Sequence, residues 1–238
     1  MAKLYVVGFG PGGYEHMTVR AVDVIKSADI VTGYTTYVNM LKEFFPDKQY
    51  LSTPMKKEVD RCRLAVSKAM EGYTVAMVSS GDSGIYGMAG IVLQVAKEMN
   101  ADIDIEVVPG VTAASAAASV LGAPLMHDTA LISLSDLMTP LDLIMKRVDC
   151  AGQSDFVICL YNPSSKKRHD YLQKACDLLM RYKSPDTVCG TVSQIARQGE
   201  CASVMTLREL RDTQVDMFTT VFVGNSQTKV QNGKMVTP

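Results

Sequence analysis
Residues 8–13 read GFGPGG, at the end of the strand-like run KLYVVG (3–8). Taken literally this is G-x-G-x-x-G, the spacing that brings backbone amides and a helix N-terminus against a dinucleotide pyrophosphate. Two further loops have the same character. GDSGIYG (81–87) offers backbone amides and carbonyls together with Asp82 and Ser83, and PGVTA (109–113) follows the run DIEVV. The dinucleotide reading meets two obstacles. Pro11 interrupts the motif, and Tyr14, Glu15, His16 and Met17 separate it from the next helical pattern, so no helix opens on the glycines. The second strand, in DIVTGY, ends without the acid that would hold a ribose hydroxyl, and Asp29 stands at its wrong end. A loop of this composition instead offers a tight backbone without side-chain bulk, close to whatever occupies a cleft. Asp82 has two readings: a carboxylate that bonds a ribose, or the head of an Asx-turn.

The elements that must position these loops alternate. KLYVVG reads as a strand, and TVRAVDVIKSA (18–28) as a helix with Thr18 as its N-cap. DIVTGY is a second strand. KKEVDRCRLAVSKAMEG (56–72) places Val59, Cys62, Val66, Ala69 and Met70 on one helical face and stops at Gly72. YTVAMVSS (73–80) is a strand, GMAGIVLQVAKEM (87–99) a helix and DIEVVPG (104–110) a strand. Such β/α alternation, with strands apolar on both faces, predicts a mostly parallel sheet covered by helices. The small-residue helix TAASAAASVLGA (112–123) leads to a domain boundary at GAPLMHD, giving domains 1–122 and 123–238. Beyond it ALISLSD, DFVICLYN, TVCGTVS, ASVMTLREL and FTTVFVGN read as strands, with LDLIMKRVDCA and KKRHDYLQKACDLLMRYK as helices. That half should be a mixed sheet. The expected fold is therefore α/β, in two α/β domains, and because ligands of open α/β sheets lie outside the carboxyl ends of the strands these loops are expected to line one cleft.

The 238 residues carry a net charge of −1. That balance argues against a nucleic-acid partner, which calls for a basic excess. No apolar run reaches the roughly 18–20 residues that span a membrane, and the first residues lack a signal-peptide core. We expect a cytoplasmic protein. The six cysteines include no C-x-x-C pair, so metal ligation is not expected and the thiols should be reduced structural residues.

In this order, G-x-G-P-G, S-G-D-x-x-x-Y-G and V-P-G-V-T-A resemble the tetrapyrrole methylases, and the resemblance covers essentially the whole chain. ISLSDLMTP (132–140), LYNPSSKKR (160–168) and DMFTTVFVGNSQT (216–228) are similar to one branch, the precorrin-3B or cobalt-factor III C(17)-methyltransferases of cobalamin biosynthesis. The resemblance implies two α/β domains with a ligand cleft between them, S-adenosyl-L-methionine as cofactor in that cleft, a tetrapyrrole substrate, contraction of its ring and a homodimer. Carried over, it places Pro11 near the cleft, and gives Ser80, Gly81, Asp82 and Ile85 the ribose and methionine parts of the cofactor. Thr112 and Ala113, then Tyr161 and Asn162, make further contacts, and Ile195, Ala196, Thr219 and Thr220 flank the adenine. Ser83 stands where many relatives have proline, a change expected to loosen that turn. Ring contraction implies proton transfers, for which His127 and Asp136 are the candidates. Lys166, Lys167 and Arg168 are the candidates for the substrate carboxylates, at a helix start, with Lys56, Lys57 and Arg197 behind them. The alternatives are a same-fold methyltransferase for another precorrin position, uroporphyrinogen, a translation factor or RNA, and a non-catalytic nucleotide-binding protein.

Overall fold
The computed structural model describes residues 3–165 and 168–238. They form two compact units, the first ending at Ala113 and the second beginning at Ala114. The division falls at the first residue of the alanine helix.

The first unit contains β1 (Lys3–Gly8), α1 (Val19–Ser27), β2 (Ile30–Tyr34), α2 (Thr35–Lys42), β3 (Gln49–Thr53), α3 (Glu58–Met70), β4 (Thr74–Ser79), α4 (Ala89–Glu98) and β5 (Asp104–Val108). Its sheet is wholly parallel, in the order β3-β2-β4-β1-β5. Residues two apart on a strand share a face, and the core divides accordingly. Val7, Val31, Ala76 and Val78 pack with Ala21, Ile25 and Leu41 of α1 and α2. Leu4, Val6, Ile30, Val75 and Met77 pack with Cys62, Val66, Val92 and Val95 of α3 and α4. From β1 the chain crosses one face towards β2, and from its neighbour β4 it crosses the other face to β5 on the opposite side. These two strands are therefore the switch point, where an open α/β sheet opens a crevice at its carboxyl edge.

Several elements differ from the sequence reading. On α3, Cys62, Val66 and Ala69 are buried as expected, but Val59 and Met70 are exposed and Arg61 is buried instead. The helix is rotated so that the apolar stripe continues through Ala65. The segments of α2 and β3 gave no expected element. QYLST is a largely polar edge strand, whose outer side asks for no apolar residues.

The second unit holds α5 (Ala113–Leu121), β6 (Gly122–Ala123), β7 (Thr129–Ser133), α6 (Leu141–Gln153), β8 (Val157–Tyr161), α7 (Tyr171–Leu179), β9 (Val188–Ser193), β10 (Cys201–Thr206), α8 (Leu207–Arg211), β11 (Thr219–Val223), β12 (Lys229–Gln231) and β13 (Lys234–Val236). Its main sheet is mixed, in the order β10-β9-β11-β8-β7, with only β7 and β8 parallel. Ile144, Val148, Leu172, Cys176, Leu179, Leu207 and Leu210 bring α6, α7 and α8 onto one face. On β9, a Cβ on Gly190 would lie 2.7 Å from a methyl of Leu121, so glycine there lets α5 approach the sheet.

ASVMTLREL is not one strand. Thr206 caps α8 through a reciprocal box, accepting from the Glu209 amide at 3.3 Å while Glu209 accepts from the Thr206 amide at 2.8 Å. The T-x-x-E spacing carries this signal. The hairpin of β12 and β13 turns on Asn232 and Gly233, both at positive φ (50° and 73°), as a two-residue hairpin demands. The helix expected from residue 166 begins only at Tyr171.

Candidate functional site
In the first unit the three glycine loops leave the carboxyl ends of neighbouring strands, β4, β1 and β5, and are knitted to one another by backbone. The Phe9 amide donates to Ser79 O (3.0 Å). Gly10 and Gly81 exchange bonds of 3.1 and 2.7 Å as an isolated antiparallel bridge. The Ser80 hydroxyl donates to Gly10 O at 3.4 Å. A Cβ on Gly8 would sit 2.6 Å from Gly81 O and 2.7 Å from Ser83 N, and one on Gly110 would overlap Gly81 O and Gly8 O. Only glycine permits this approach. Gly81 is itself at φ +71°, and the space a Cβ would take there is bounded at ordinary contact distance by Ala113 N (3.8 Å) and Thr112 Cα (4.0 Å). Pro11 is buried next to the bridge. The fold thus brings Pro11, Ser80, Gly81, Thr112 and Ala113 to one place.

Asp82 is the brace of this arrangement. Its Oδ1 accepts from the Gly84 (2.8 Å) and Ile85 (3.0 Å) amides, closing an Asx-turn, and its Oδ2 accepts from the Gly110 amide (2.9 Å). The Ile85 amide is therefore engaged by Asp82. Ser83 does not loosen the turn. It is fully buried and donates to Val108 O at 3.1 Å, a tie proline could not make. The neighbouring helix end is closed: Thr18 caps α1 by accepting from the Ala21 amide (3.1 Å) and donates to Pro109 O (3.3 Å). A pyrophosphate cradle needs that helix end bare.

In the second unit the carboxyl ends of β8 and β9 and the start of antiparallel β11 lie on one edge of the sheet. They bring together Tyr161 and Asn162, Ile195 and Ala196, and Thr219 and Thr220. The Tyr161 hydroxyl accepts from the Ala114 amide (2.9 Å), one of the orphan donors of the first turn of α5. Asn162, at φ +52°, donates to the Ser133 hydroxyl (3.0 Å), which also accepts from the Ser135 amide (3.2 Å). Ile195 is buried, and Ala196, at φ +55°, donates its amide to Glu200 (2.7 Å). A left-handed alanine costs about 1–2 kcal/mol, and such residues gather at functional loops. Thr219 is buried, donates to Asp216 (2.8 Å) and pairs with Ser193 across the sheet, while buried Thr220 is turned to the other face.

His127 is exposed, and its carbonyl accepts from the Thr129 hydroxyl (3.0 Å). Asp136 does not cap α6, whose N-cap position is Pro140. It accepts from the Tyr171 hydroxyl at 2.8 Å, a bond that raises the Tyr171 phenol above its ordinary range, and faces Arg168 Nε at 3.8 Å. Arg168 also donates to Ser165 Oγ (3.1 Å) and Leu134 O (3.3 Å). It precedes α7 rather than opening it. Lys166 and Lys167 lie outside the described residues. The braces Ser133 and Glu200 escaped the sequence reading. Q-G-E after a strand signals a turn, but nothing in S-L-S-D marks Ser133 as a shared acceptor. Among the described residues no His, Cys, Asp and Glu cluster is arranged to hold a metal, and no helix is long and apolar enough to cross a membrane.

A three-layer parallel unit with backbone-pinned glycine loops, joined to a unit with a mixed sheet, defines a class. The model of the tetrapyrrole (corrin/porphyrin) methylases matches residues 3–211, and the chain belongs to that family. It is 48% identical over 235 residues to a probable cobalt-factor III C(17)-methyltransferase of Salmonella typhimurium, covering 99% of this chain and 98% of the relative. A crystal structure of the methyltransferase CobJ superposes with a TM-score of 0.91 at 31% identity, covering both chains completely. The fold also matches a uroporphyrin-III C-methyltransferase of Thermus thermophilus in complex with S-adenyl homocysteine, with a TM-score of 0.73 at 20% identity over 93% of this chain and 97% of that one.

Proposed function
We propose that this chain is an S-adenosylmethionine-dependent methyltransferase of cobalamin biosynthesis, which methylates carbon 17 of cobalt-factor III or of its metal-free counterpart precorrin-3B with contraction of the ring. The observation that carries this reading is the identity running through nearly the full length of both this chain and the Salmonella relative.

The residues fit the cofactor. Gly81 at positive φ carries no side chain between its loop and Thr112 and Ala113, and Asp82 and Ser83 fix that backbone in advance, as a cofactor held largely by backbone requires. When bound, S-adenosylmethionine supplies a methyl group already activated on a sulfonium, so the protein's task is alignment and exclusion of water. In the first unit Pro11, Ser80, Gly81, Asp82, Ile85, Thr112 and Ala113 are assigned to the cofactor, with Asp82 acting through the loops it ties. In the second unit Tyr161, Asn162, Ile195, Ala196, Thr219 and Thr220 take that role.

Of the two proton-transfer candidates, Asp136 is held by Tyr171 beside Arg168, whereas His127 is held by no side-chain bond among the described residues. We assign Asp136 the proton work of ring contraction, with Arg168 and the flanking Lys166 and Lys167 as partners for substrate carboxylates. A cytoplasmic homodimer completes the reading. Calorimetric titration with S-adenosylhomocysteine and with NAD tests it. Binding of the first alone, followed by turnover of cobalt-factor III, is expected; binding of NAD alone refutes it.

A further inference from the structure
Arg61 is the outstanding charge of the first unit. It lies on the sheet-facing side of α3 and is only 4% exposed, yet no carboxylate among the described residues pairs with it. Its Nε donates to Thr53 Oγ1 (2.9 Å), one Nη donates to Pro54 O (3.1 Å), and its guanidinium stands 5.8 Å from the centre of the Tyr34 ring. These partners are neutral and engage a minority of its donors. A buried cation without a counter-ion is costly, and taking up an anion relieves that cost.

The surroundings are polar in the same unbalanced way. On the α3 and α4 face of β2 the run is Ile30, Thr32, Tyr34, and on that face of β4 it is Val75, Met77, Ser79. The face is apolar in its middle and turns to hydroxyls towards the carboxyl edge. Thr32 pairs with Met77 and Gly33 with Val78, so Tyr34 and Ser79 occupy the next positions, and Tyr34 pairs in turn with Thr53. The hydroxyls of Thr32 (0% exposed) and Ser79 (6% exposed) have no hydrogen-bond partner among the described residues. Buried unsatisfied hydroxyls are rare, and two on the sheet face that packs against α3, which carries Arg61 without a carboxylate partner, call for one explanation. The loop before α3 adds exposed Lys56, held at φ +65°.

We propose that Arg61, with the hydroxyls of Thr32 and Ser79 and with Lys56 at its rim, is a carboxylate-binding site that takes one acetate or propionate side chain of the tetrapyrrole. A planar guanidinium binds a carboxylate through two parallel bonds, and the hydroxyls supply further donors. The site spans β2, β3 and β4, while the pinned glycine loops end β4, β1 and β5. This separation favours a substrate carboxylate over that of the cofactor. The assignment rests on the proposed function for the identity of the macrocycle, but its geometry stands without it.

The test titrates wild type, R61Q, R61K and K56Q with uroporphyrin III, a polycarboxylate tetrapyrrole, by absorbance, and with S-adenosylhomocysteine by calorimetry, with melting curves for each. We expect R61Q to weaken porphyrin binding at least tenfold, about 1.4 kcal/mol. R61K should recover part of the loss, K56Q should lose about threefold, and homocysteine-product affinity should stay within twofold. Porphyrin affinity of R61Q within twofold of wild type overturns the proposal, as does failure of the wild type to bind porphyrin. Loss of product affinity alone also overturns it, by assigning Arg61 to the cofactor carboxylate. Where R61Q does not fold, R61K and K56Q decide by the same comparison, and unchanged porphyrin affinity in both overturns it. A wild type that binds porphyrin but no S-adenosylhomocysteine refutes the methyltransferase reading and leaves this site standing.

Discussion

Replacing Asp82 separates a brace from a ligand contact. The carboxylate accepts from three backbone amides, Gly84 and Ile85 on one oxygen and Gly110 on the other. Bonds to a charged acceptor contribute about 1.5–3 kcal/mol each, but Asp82 is partly open to water, so about 1 kcal/mol each is the fitting value. D82A then loses about 3 kcal/mol. At about 2–4 °C per kcal/mol for a chain of this size, melting falls by about 6–12 °C. D82N keeps one carbonyl oxygen, which can serve the Asx-turn or Gly110 but not both, and its NH2 then meets an N–H donor. It should lose about 2 kcal/mol, or about 4–8 °C. Both variants free the Gly110 loop that carries Thr112 and Ala113, so S-adenosylhomocysteine affinity should fall alongside stability, as read by scanning calorimetry and titration. If D82N melts within about 1 °C of wild type yet loses product affinity, the carboxylate grips the ligand directly and the bracing argument is wrong.

Other perturbations probe the same physics. G110A should fail to accumulate or melt far below wild type, because its Cβ overlaps two carbonyl oxygens, whereas G90A, at an exposed position of α4 with open space around its Cβ, should gain about 0.4–1 kcal/mol in the same melting assay. Native alkylation read by mass spectrometry should label the exposed Cys150 and Cys201 and spare the other four cysteines. Those four are buried, and burial pushes the Cys62 thiol up to about 11 and Cys176 up to about 12, with Cys159 and Cys189 raised further. Partial burial pushes the Asp155 carboxyl up, but its bonds to Ser226 and Lys183 outweigh this and hold it below the ordinary range. A depressed carboxyl contributes stability that is full above the unfolded value of about 4 and is lost as pH falls through the folded value. Denaturant melts between pH 5 and pH 3 should therefore show a smaller loss for D155N than for wild type, and equal losses would remove Asp155 from the account.

The order of elements was legible where apolar periodicity or a cap announces it. Thr18 caps α1 as its position before an apolar helical run indicates, and β1 matches KLYVVG residue for residue. Elements with little core were not legible. β3 is a polar edge strand, and Val59 and Met70 were assigned to the buried face of α3 because a stripe read by residue type cannot register a buried arginine. The site divides in the same way. Glycines at 8, 81 and 110 stand out in the sequence, but which loop each one touches depends on the strand order β4-β1-β5, and a chain alone does not display adjacency. The two readings of Asp82 could only be weighed once Gly110 was beside it, 28 positions away in the chain. Arg61 had no signal, since unpaired burial is a property of surroundings.

The likeness of GFGPGG to a dinucleotide fingerprint has a physical origin. Both motifs solve the problem of leaving β1 at a switch point, where the chain must turn within a few residues and pass close to the neighbouring strand's exit. Glycine is the solution in each case. The chain beyond the turn decides the chemistry. A fingerprint directs its amides at phosphate, with the helix dipole behind them. Here Gly10 gives its amide to Gly81, Ser80 bonds back to Gly10, and a capped α1 begins only at Val19. The amides of Gly10 and Gly81 are used to lock loop to loop, and the N-terminus of α1 is closed by its Thr18 cap. Loops tied to one another through backbone and the Asp82 carboxylate suit the proposed transfer of a methyl group that arrives already activated. Alignment is then the main requirement, and a rigid backbone aligns better than mobile side chains. The cations proposed for the acceptor's carboxylates, Arg61 and Arg168, belong to none of the glycine loops.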